Sequence, residues 1–506
     1  MAGDARTGGA SGTERFDLVV IGGGPAGYGA ALYAGAAGMS VALVERDRLG
    51  GTCLHRGCIP AKELLETAAV WRTVCEAADF GVNVEPPVLD FGVSQARKQR
   101  IVDSLETGVQ GLLRRRKVTV FEGTGRLCAD RSVVVDSGNS AEATLHGDHV
   151  LLAAGSVPRT LQGFERDGTL VMTSDEVLAL EQVPSRVAVI GGGAIGCEFA
   201  SMLADLGAEV TVLEYAPQII PGVDADIAKA LARAFAKRGI TVRTGCEVTG
   251  HTPKGSDAVT GDATGTTVYY SVASRPGRAN PSSAGAAEPA SVDPESVEVD
   301  AVVVSVGRRP FADHLGLDDT GVQLDERGFV VVDEMCRTSM AGVYAIGDLT
   351  DTPQLAHVGF AEAIVATQDM LGESPAPVDY ANVPWAIYCH PEVAFAGLSE
   401  AAAREAGFDV VVSKHRFSGN SRAMIVNDTE GLVKIVAERQ PDGAAGRILG
   451  VHMMGPWVTE QLGQGYLAVN WEATVAEVAA LVQPHPTLSE LFGETMLSLT
   501  GRSLHG

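Results

Sequence analysis

Cysteine, aromatic residues and positive charge are all scarce in this chain. Its 506 residues include eight cysteines and 5% aromatic side chains, and 39 lysines and arginines stand against 63 acids, a formal charge of -24. So few cysteines exclude a secreted scaffold held by disulfides and favour a cytoplasmic location. Because the negative charge would repel a phosphate backbone and an anionic membrane surface, we expect no nucleic-acid or membrane partner.

The sequence also has little that resembles an export or membrane segment. Residues 1–15 have no apolar stretch, so we expect a flexible tail there and no signal peptide. Residues 18–44 carry no charge and are long enough to span a bilayer, but Pro25 and seven glycines interrupt them. Two short buried strands joined by a helix explain this pattern better than one membrane helix.

This uncharged segment contains a dinucleotide-binding fingerprint. Its parts are a strand over Phe16–Ile21, a turn with Gly22, Gly24 and Gly27, a helix, and a strand over Met39–Val44 that ends at Glu45. The first glycine permits a tight turn, the second lets a pyrophosphate approach the backbone, and the third allows close helix packing. The helix N-terminus attracts phosphate, and the acid can accept hydrogen bonds from ribose hydroxyls. A chance glycine-rich turn is the alternative, but all the parts occur in order.

The same fingerprint occurs a second time. Its parts are a strand over Arg186–Ile190, a turn with Gly191, Gly193 and Gly196, and a strand over Ala208–Leu213 followed by Glu214. In both copies the acid comes 18 residues after the third glycine. Two fingerprints predict two dinucleotides, and the simplest use of two is electron transfer between them. A carboxylate at 214 would repel the 2′-phosphate of NADP, so we expect NAD.

Two cysteines lie between the fingerprints, in Gly50-Gly-Thr-Cys53-Leu-His-Arg-Gly-Cys58-Ile-Pro-Ala-Lys62. They precede a predicted helix over Ile59–Val74, whose N-terminus, with Lys62 nearby, would favour a thiolate. Structural cysteines and a zinc site are the alternatives. Zinc takes about four ligands, and no second pair of cysteines or histidines has metal spacing, so we expect no metal.

At these residues the sequence resembles the pyridine nucleotide-disulfide oxidoreductases, from about Phe16 to Gly493. The family motif G-G-T-C-x-x-x-G-C-x-P-x-K is present in full. The resemblance implies FAD on the first fingerprint and NAD on the second. It also implies that Asp348, in Val343-Tyr-Ala-Ile-Gly-Asp348, contacts the flavin ribityl chain. Gly155 and Gly307, at the ends of two predicted strands, would join the FAD and NAD sites respectively.

The resemblance also implies a division of labour at the redox centre. Cys53 would exchange disulfides with the substrate, and Cys58 would lie against the flavin. Lys62 would contribute to the FAD site and pair with Glu198. The alternatives are a turn residue for Asp348, a solvated lysine at 62 and a surface carboxylate at 198.

A motif near the C-terminus, Gln483-Pro-His485-Pro-Thr-Leu-Ser-Glu490, resembles the acid/base element of family members that oxidise dihydrolipoyl groups. An imidazole exchanges protons near neutral pH, and Glu490 would orient it and stabilise its charged form. A turn histidine is the alternative. In the family this histidine serves the thiols of the other subunit, so a homodimer is implied. The bond between His485 and Pro486 is a candidate for the cis form.

The function implied by the resemblance is oxidation of dihydrolipoyl groups by NAD+ through Cys53, Cys58 and FAD. The implied partners are the lipoyl domains of 2-oxo acid dehydrogenase or glycine cleavage complexes. One alternative is an NAD(P)H-dependent reductase of another small disulfide, of the glutathione or mycothiol type. Another is a flavin-binding subunit of a multienzyme complex that has no turnover. No cysteine follows Cys389, so the C-terminal cysteine relay of mercuric reductase is missing.

The expected fold class is α/β, with two Rossmann-like dinucleotide-binding domains and a C-terminal α+β dimerisation domain. The predicted domains are an FAD-binding domain over 16–157, an NAD-binding domain over 158–307, a central domain over 308–380 that completes the FAD site, and an interface domain over 381–506. Residues 250–294 are rich in Gly, Ala, Ser and Pro, which predicts an extended and partly disordered hairpin loop in which only Thr267–Val272 is strand-like.

Overall fold

The computed structural model describes residues 13–138, 143–255, 263–272 and 295–505. Within them the strands are β1 (Thr13–Ile21), β2 (Val41–Glu45), β3 (Thr119–Glu122), β4 (Thr124–Leu127), β5 (Ser132–Asp136), β6 (Ala143–Leu152), β7 (Ser156–Pro158), β8 (Val171–Met172), β9 (Arg186–Ile190), β10 (Glu209–Glu214), β11 (Thr241–Thr244), β12 (Cys246–Lys254), β13 (Gly265–Val272), β14 (Glu295–Val299), β15 (Ala301–Val304), β16 (Arg308–Pro310), β17 (Val343–Ala345), β18 (Trp385–Ile387), β19 (Glu392–Gly397), β20 (Val410–Arg416), β21 (Leu432–Arg439) and β22 (Ala445–Gly455). The helices in the same ranges are α1 (Pro25–Ala36), α2 (Gly51–His55), α3 (Cys58–Cys75), α4 (Phe91–Arg115), α5 (Ser174–Val177), α6 (Ala194–Asp205), α7 (Ala225–Lys237), α8 (Ala356–Met370), α9 (Glu400–Glu405), α10 (Ser421–Ile425), α11 (Val458–Asn470), α12 (Val475–Ala479) and α13 (Glu490–Leu499).

Contacts between residues divide the chain into two compact units. The first unit comprises Met1–Leu64, Gly92–Arg159 and Gly307–Tyr380, and the second comprises Leu65–Phe91, Thr160–Val306 and Ala381–Gly506. Each unit is therefore assembled from segments that are far apart in the sequence.

The first unit is built on a sheet in the order β3-β2-β1-β6-β5-β4, with β17 beside β6. Strands β3, β2, β1, β6 and β17 run parallel, whereas β4 and β5 are antiparallel. Leu18, Val19 and Val20 of β1 are all buried, although successive side chains point to opposite faces. Burial on both faces is typical of a central parallel strand, and it explains the continuous apolar run in the sequence.

The first strand begins earlier than the sequence predicted. Residues 13–15 pair with residues 144–146 of β6 and extend the strand that was expected to start at Phe16. The prediction of a flexible tail is therefore wrong for these three residues, because an adjacent strand supplies backbone partners for them. The rest of the predicted tail, residues 1–12, lies outside the described residues.

Helices α1 and α8 approach each other closely in the first unit, because glycines lie at their contact. A Cβ atom at Gly29 would lie 2.8 Å from the ring of Phe360, and one at Gly359 would lie 2.9 Å from the Cβ of Ala26. Both distances are too short for a side chain. This contact fixes α8 beside the helix that follows the first glycine turn.

The second unit contains a second parallel sheet, in the order β11-β10-β9-β15-β8. Strand β9 forms at Arg186–Ile190 as predicted, and β10 begins at Glu209, one residue later than predicted. An antiparallel sheet, β12-β13-β14, accompanies it. Residues 267–272 form a strand as predicted, but the prediction of a loop is wrong for residues 250–254 and 265–266, which belong to the paired strands β12 and β13. Residues 256–262 and 273–294 of that prediction lie outside the described residues.

The C-terminal part of the second unit is an antiparallel sheet in the order β18-β19-β22-β21-β20. Its buried side chains form one core with those of α11, α12 and α13, including Phe417, Met453 and Phe492. A mainly parallel sheet in the first unit, a parallel sheet in the second, their helices and this α+β region confirm the predicted fold class. In the described ranges no helix is both long enough and apolar enough to cross a membrane.

A buried lysine connects three elements of the second unit. Lys434 on β21 is 2% exposed, and its Nζ lies 2.8 to 2.9 Å from carboxylate oxygens of Asp224, Asp226 and Glu400. Replacing it with methionine leaves the buried carboxylate of Asp224 without its cation, so we expect the free energy of unfolding to fall by about 3 to 5 kcal/mol. Urea denaturation followed by circular dichroism measures this change.

Lys414 is the matched control, because its Nζ lies 3.2 Å from the same Asp226 but its side chain is half-exposed. Surface ion pairs contribute only about 0 to 1 kcal/mol, so Lys414→Met should have a small effect. Equal losses of stability in the two variants would contradict the role given to Lys434.

Candidate active site

The first glycine turn has a backbone that excludes side chains. Gly22 has φ +106°, and a Cβ atom there would lie 2.3 Å from the carbonyl oxygen of Ala153. A Cβ at Gly27 would lie 1.8 Å from the oxygen of Gly22, whereas the nearest atom to one at Gly24 is 4.0 Å away. The turn is therefore closed on the strand side and open at Gly24, the N-cap of α1, where a pyrophosphate can approach.

Glu45 at the end of β2 is tied to this turn. Its Oε2 accepts a hydrogen bond of 2.6 Å from the N–H of Gly23, and its Oε1 accepts one of 2.8 Å from the N–H of Asp47. The sequence predicted only that this acid would accept from a ribose. Since each carboxylate oxygen has a second lone pair, the contacts leave that capacity and also fix the orientation.

The second glycine turn repeats this geometry. Gly191 has φ +101°, and a Cβ at Gly196 would lie 1.9 Å from the oxygen of Gly191, whereas nothing lies within 4 Å of one at Gly193. Glu214 accepts hydrogen bonds of 2.5 Å from Gly192 N–H and 2.6 Å from the N–H of residue 216. The two glycine turns, each with its own acid, have the same geometry, which supports two dinucleotide sites.

The hydroxyl of Ser305 binds the backbone of the second turn. This residue was not among those predicted from the sequence. Its hydroxyl lies 3.0 Å from the oxygen of Ile190 and 2.9 Å from that of Gly191. It follows the end of β15, which pairs with β9, so only the sheet order brings it to the turn.

Asp348 lies directly after β17, in a turn of 3-10 helix over Gly347–Leu349. Its Oδ2 accepts a 2.5 Å hydrogen bond from the hydroxyl of Ser156, and the Nε of Arg308 donates to that hydroxyl at 2.7 Å. The carboxylate is thus held from one side. Ser156 and Arg308 were not among the predicted residues, since their partners are more than 100 positions away in sequence.

Gly155 and Gly307 lie immediately before the two strands of a small antiparallel ribbon, β7 and β16. Both adopt positive φ, +73° and +104°. The oxygen of Gly307 accepts from the N–H of Arg159, and that of Gly155 accepts from the N–H of Phe311. Each glycine therefore marks a sharp bend at the end of a parallel strand, where the chain leaves the sheet.

Cys53 and Cys58 lie together at the junction of α2 and α3 in the first unit. Both are thiols, and a hydrogen bond joins their side chains. Cys53 is half-buried and Cys58 is exposed. The pairing favours redox chemistry over two unrelated structural cysteines, and no cluster of potential metal ligands occurs in the part of the chain that the structure describes.

The pKa of the Cys53 thiol depends on Cys58 and on burial as well as on Lys62. The hydrogen bond to Cys58 raises the pKa of the Cys53 thiol above its usual range, burial and the charge of Cys58 add to this effect, and Lys62 opposes it. Lys62 thus acts in the direction that the sequence predicted, but the hydrogen bond to Cys58 and burial outweigh it at Cys53.

The four residues between the two cysteines, the redox loop, are held at two points. The Nε2 of His55 lies 2.8 Å from the oxygen of Leu49, and Arg56 forms a 2.8 Å ion pair with Asp47. A Cβ atom at Gly57 would lie 2.9 Å from the oxygen of Thr52, so the bend requires glycine there. These contacts fix the path of the loop that brings the two sulfurs together.

Lys62 and Glu198 lie in different units. Lys62 lies one turn after Cys58 on α3, and Glu198 lies on α6, where its Oε1 accepts a 2.9 Å hydrogen bond from the N–H of Tyr388. Glu198 is buried, so the alternative of a surface carboxylate is wrong. The pairing of Lys62 with Glu198 stays a prediction.

His485 and Glu490 form a pair in the second unit. The Nδ1 of His485 lies 2.8 Å from Oε1 of Glu490, and Oε2 of Glu490 accepts a 2.8 Å hydrogen bond from Thr487 N–H. The imidazole is 69% exposed, which leaves its Nε2 accessible. The bond between His485 and Pro486 is cis. Partial burial acts to raise the pKa of Glu490, but the hydrogen bonds from Thr487 and His485 outweigh it and lower the pKa.

These residues fit the two predicted cofactors. Each glycine turn is closed at its first and third glycines and open at its second, precedes a helix of 12 residues and lies beside an oriented acid. That combination suits the phosphates and ribose of a dinucleotide. An FAD bound at the first turn must also reach Asp348 and the dithiol. All of these groups lie in the first unit.

Comparison with known proteins gives the same result. The family model for pyridine nucleotide-disulphide oxidoreductases matches residues 16–363, and the model for their dimerisation domain matches residues 383–496. Dihydrolipoyl dehydrogenase from Bacillus subtilis is 40% identical over 97% of this chain and 99% of its own length. Mitochondrial dihydrolipoyl dehydrogenase from Pisum sativum is 35% identical over 98% of this chain and 94% of its own.

Solved structures also resemble this chain. Mycobacterium tuberculosis LpdA has a TM-score of 0.83 and 25% identity, covering 96% of this chain and 99% of its own. The dimerisation-domain match supports a homodimer. The predictions of FAD, NAD and disulfide oxidoreductase activity are confirmed at the level of the family. The chain belongs to the pyridine nucleotide-disulphide oxidoreductases.

Proposed function

We propose that this chain oxidises dihydrolipoyl groups to lipoyl groups and reduces NAD+. The observation that carries the proposal is the hydrogen-bonded pair Cys53 and Cys58, which lies in the same unit as the first glycine turn. The curated relatives named dihydrolipoyl dehydrogenase, which match almost the full chain, support this substrate.

The proposed role of the cysteines is thiol-disulfide exchange. One substrate thiolate attacks the oxidised pair at Cys53 and forms a mixed disulfide, while Cys58 leaves as a thiolate. The second substrate thiol then attacks the mixed disulfide, so that the lipoyl disulfide forms and both cysteines are reduced. FAD, when bound on the first glycine turn, supplies the carrier that passes this electron pair to NAD+.

His485 is the proposed base for this exchange. It removes the proton of a substrate thiol, because the thiolate is the nucleophile, and the carboxylate of Glu490 stabilises the imidazolium that results. The family resemblance implies that His485 serves the thiols of a second subunit, so a homodimer completes the proposed site. Lys62 and Glu198 are proposed to pair beside the flavin.

The remaining assignments follow from this function. Asp348 and Gly155, with the first glycine turn, are proposed for FAD, and Gly307, with the second turn and Glu214, for NAD. We also propose that the domains divide near residues 157, 307 and 380. The proposed partners are lipoyl domains of 2-oxo acid dehydrogenase or glycine cleavage complexes, in the cytoplasm.

The substrate assay compares electron donors and acceptors with the purified holoenzyme. We expect dihydrolipoamide to reduce NAD+ with a kcat/KM at least about 100 times that for NADH-dependent reduction of glutathione or mycothiol disulfide, since one substrate fits the site. The rival is a reductase of another disulfide, as in the Escherichia coli flavoprotein disulfide reductase RclA, whose structure has a TM-score of 0.80. Rapid turnover of another disulfide without lipoyl activity would establish the rival and overturn the proposal.

A further inference from the structure

Glu362 is a buried carboxylate that has no role in the proposed reaction. It lies on α8 and is 1% exposed. Burying a carboxylate is unfavourable unless hydrogen bonds compensate it. Burial accordingly raises the pKa of Glu362, while its hydrogen bonds act in the opposite direction.

The partners of Glu362 converge on the turn that holds Asp348. Its Oε2 accepts a 2.6 Å hydrogen bond from the N–H of Gly347, and its Oε1 accepts one of 2.9 Å from the hydroxyl of Tyr380. The side chain of Thr352 also donates to it. One carboxylate thus joins α8, the Gly347–Leu349 turn and residue 380.

The turn itself depends on an unusual backbone. Gly347 has φ +69°, in the left-handed region, and its oxygen accepts from the N–H and the hydroxyl of Thr350. The N–H of Ile346 donates a hydrogen bond to the oxygen of Leu152 in β6. Without Glu362 the N–H of Gly347 would lose its partner at the residue directly before Asp348.

Asp348 is therefore held from two sides. Ser156, backed by Arg308, binds its carboxylate, and Glu362 fixes the backbone from which it projects. Both supports belong to the first unit.

We propose that Glu362 is a positioning residue for FAD, which fixes the Gly347–Asp348 turn so that Asp348 meets the cofactor in one orientation. Tyr380 and Thr352 hold Glu362 in turn. The inference rests on the proposed assignment of Asp348 to the FAD site, but not on the identity of the disulfide substrate.

The test measures FAD release from the holoenzyme by the increase of flavin fluorescence after dilution. An unsatisfied N–H in the turn weakens the site, so Glu362→Ala should release FAD about 10 to 100 times faster than the unaltered protein. Glu362→Gln keeps one oxygen for the N–H of Gly347 and should restore most of the retention. Tyr380→Phe should have a smaller effect, because the bond to Gly347 remains.

Asp369 is the matched control. It is on the same helix, is largely buried and accepts a 2.7 Å hydrogen bond from the hydroxyl of Tyr344, but it makes none to the Gly347–Asp348 turn. Asp369→Asn should lower the melting temperature without faster FAD release.

Two outcomes would overturn the inference. One is an unchanged release rate in Glu362→Ala. The other is equal acceleration in Glu362→Ala and Asp369→Asn, which would mean that the carboxylate acts only on stability.

If Glu362→Ala does not fold, the folded Glu362→Gln and Tyr380→Phe variants decide. FAD release in both at the unaltered rate would overturn it, and faster release in Tyr380→Phe than in Glu362→Gln would support it. Absence of lipoyl activity with normal FAD retention would instead contradict the proposed function alone.

Discussion

Replacing Cys53 with serine will lower NAD+ reduction by dihydrolipoamide by at least about a thousandfold, because a serine at this position cannot form the disulfide with Cys58 that the substrate thiolate attacks. The hydroxyl of serine cannot form a mixed disulfide. Cys53 is half-buried and joined to Cys58 by a hydrogen bond, so the substitution removes one member of the redox pair. Stopped-flow absorbance at the NADH band measures the rate.

Cys75 provides the control for this variant. It is exposed at the C-terminal end of α3, the helix that begins at Cys58. Cys75→Ser should leave the rate within about twofold of the unaltered enzyme, as is usual for a surface substitution. The Cys53→Ser protein should also retain its flavin, because the glycine turn and Asp348 do not depend on the thiol. A variant that keeps lipoyl activity would show that the chain binds flavin but does not use this dithiol.

The sequence was sufficient for those parts of the fold that local rules govern. The glycine turns, their flanking strands and the helix after Cys58 lie within a few residues of the predicted positions. Each is determined by neighbours in sequence: apolar runs form the buried strands, and a glycine must follow where the carbonyl of Gly22 or Gly191 leaves no room for a Cβ. The repeat of the acid after 18 residues follows from the same geometry, because both acids reach back to their own turn.

Contacts between distant segments could not be predicted in the same way. Ser156, Arg308 and Glu362 converge around Asp348 only because β7, β16 and α8 meet in the first unit. Lys434 finds its carboxylates more than 200 residues away, as well as on α9. A single sequence contains no signal for such pairs. The sequence indicated a role for Glu362 only in that an acidic residue stands within a mainly apolar stretch of α8.

The effect of Cys58 on the pKa of Cys53 could not be predicted for a similar reason. The helix and Lys62 are local features, and both favour the charged form of a nearby thiol. The bend at Gly57 also brings the second sulfur close enough to hold the proton of the first, and this effect is larger. Lys62 therefore does not act alone on the pair, and the exchange also needs a base that removes the proton of the substrate thiol.

That base is expected at His485, and His485→Gln should lower kcat with dihydrolipoamide by about 100- to 10,000-fold, the range typical of general-base catalysis. The variant should also have a different pH profile. Without the base the reaction depends on spontaneous ionisation of the substrate thiol, so the rate of the variant should rise continuously up to alkaline pH, whereas the rate of the unaltered enzyme should reach a plateau.

His505 gives a matched control, because its Nδ1 lies 3.3 Å from Oε1 of Glu494 and its side chain is 77% exposed, much like His485. His505→Gln should leave both the rate and the pH profile unchanged. Glu490→Gln should lie between the two, with kcat reduced about tenfold, because an amide can orient the imidazole but does not stabilise its charge. Hydrogen bonds from Thr487 and His485 outweigh burial and keep the pKa of Glu490 low, so its carboxylate is ionised across the neutral range and the difference should persist there. A plateau in the profile of His485→Gln at the same pH as in the unaltered enzyme would mean that another group takes the proton.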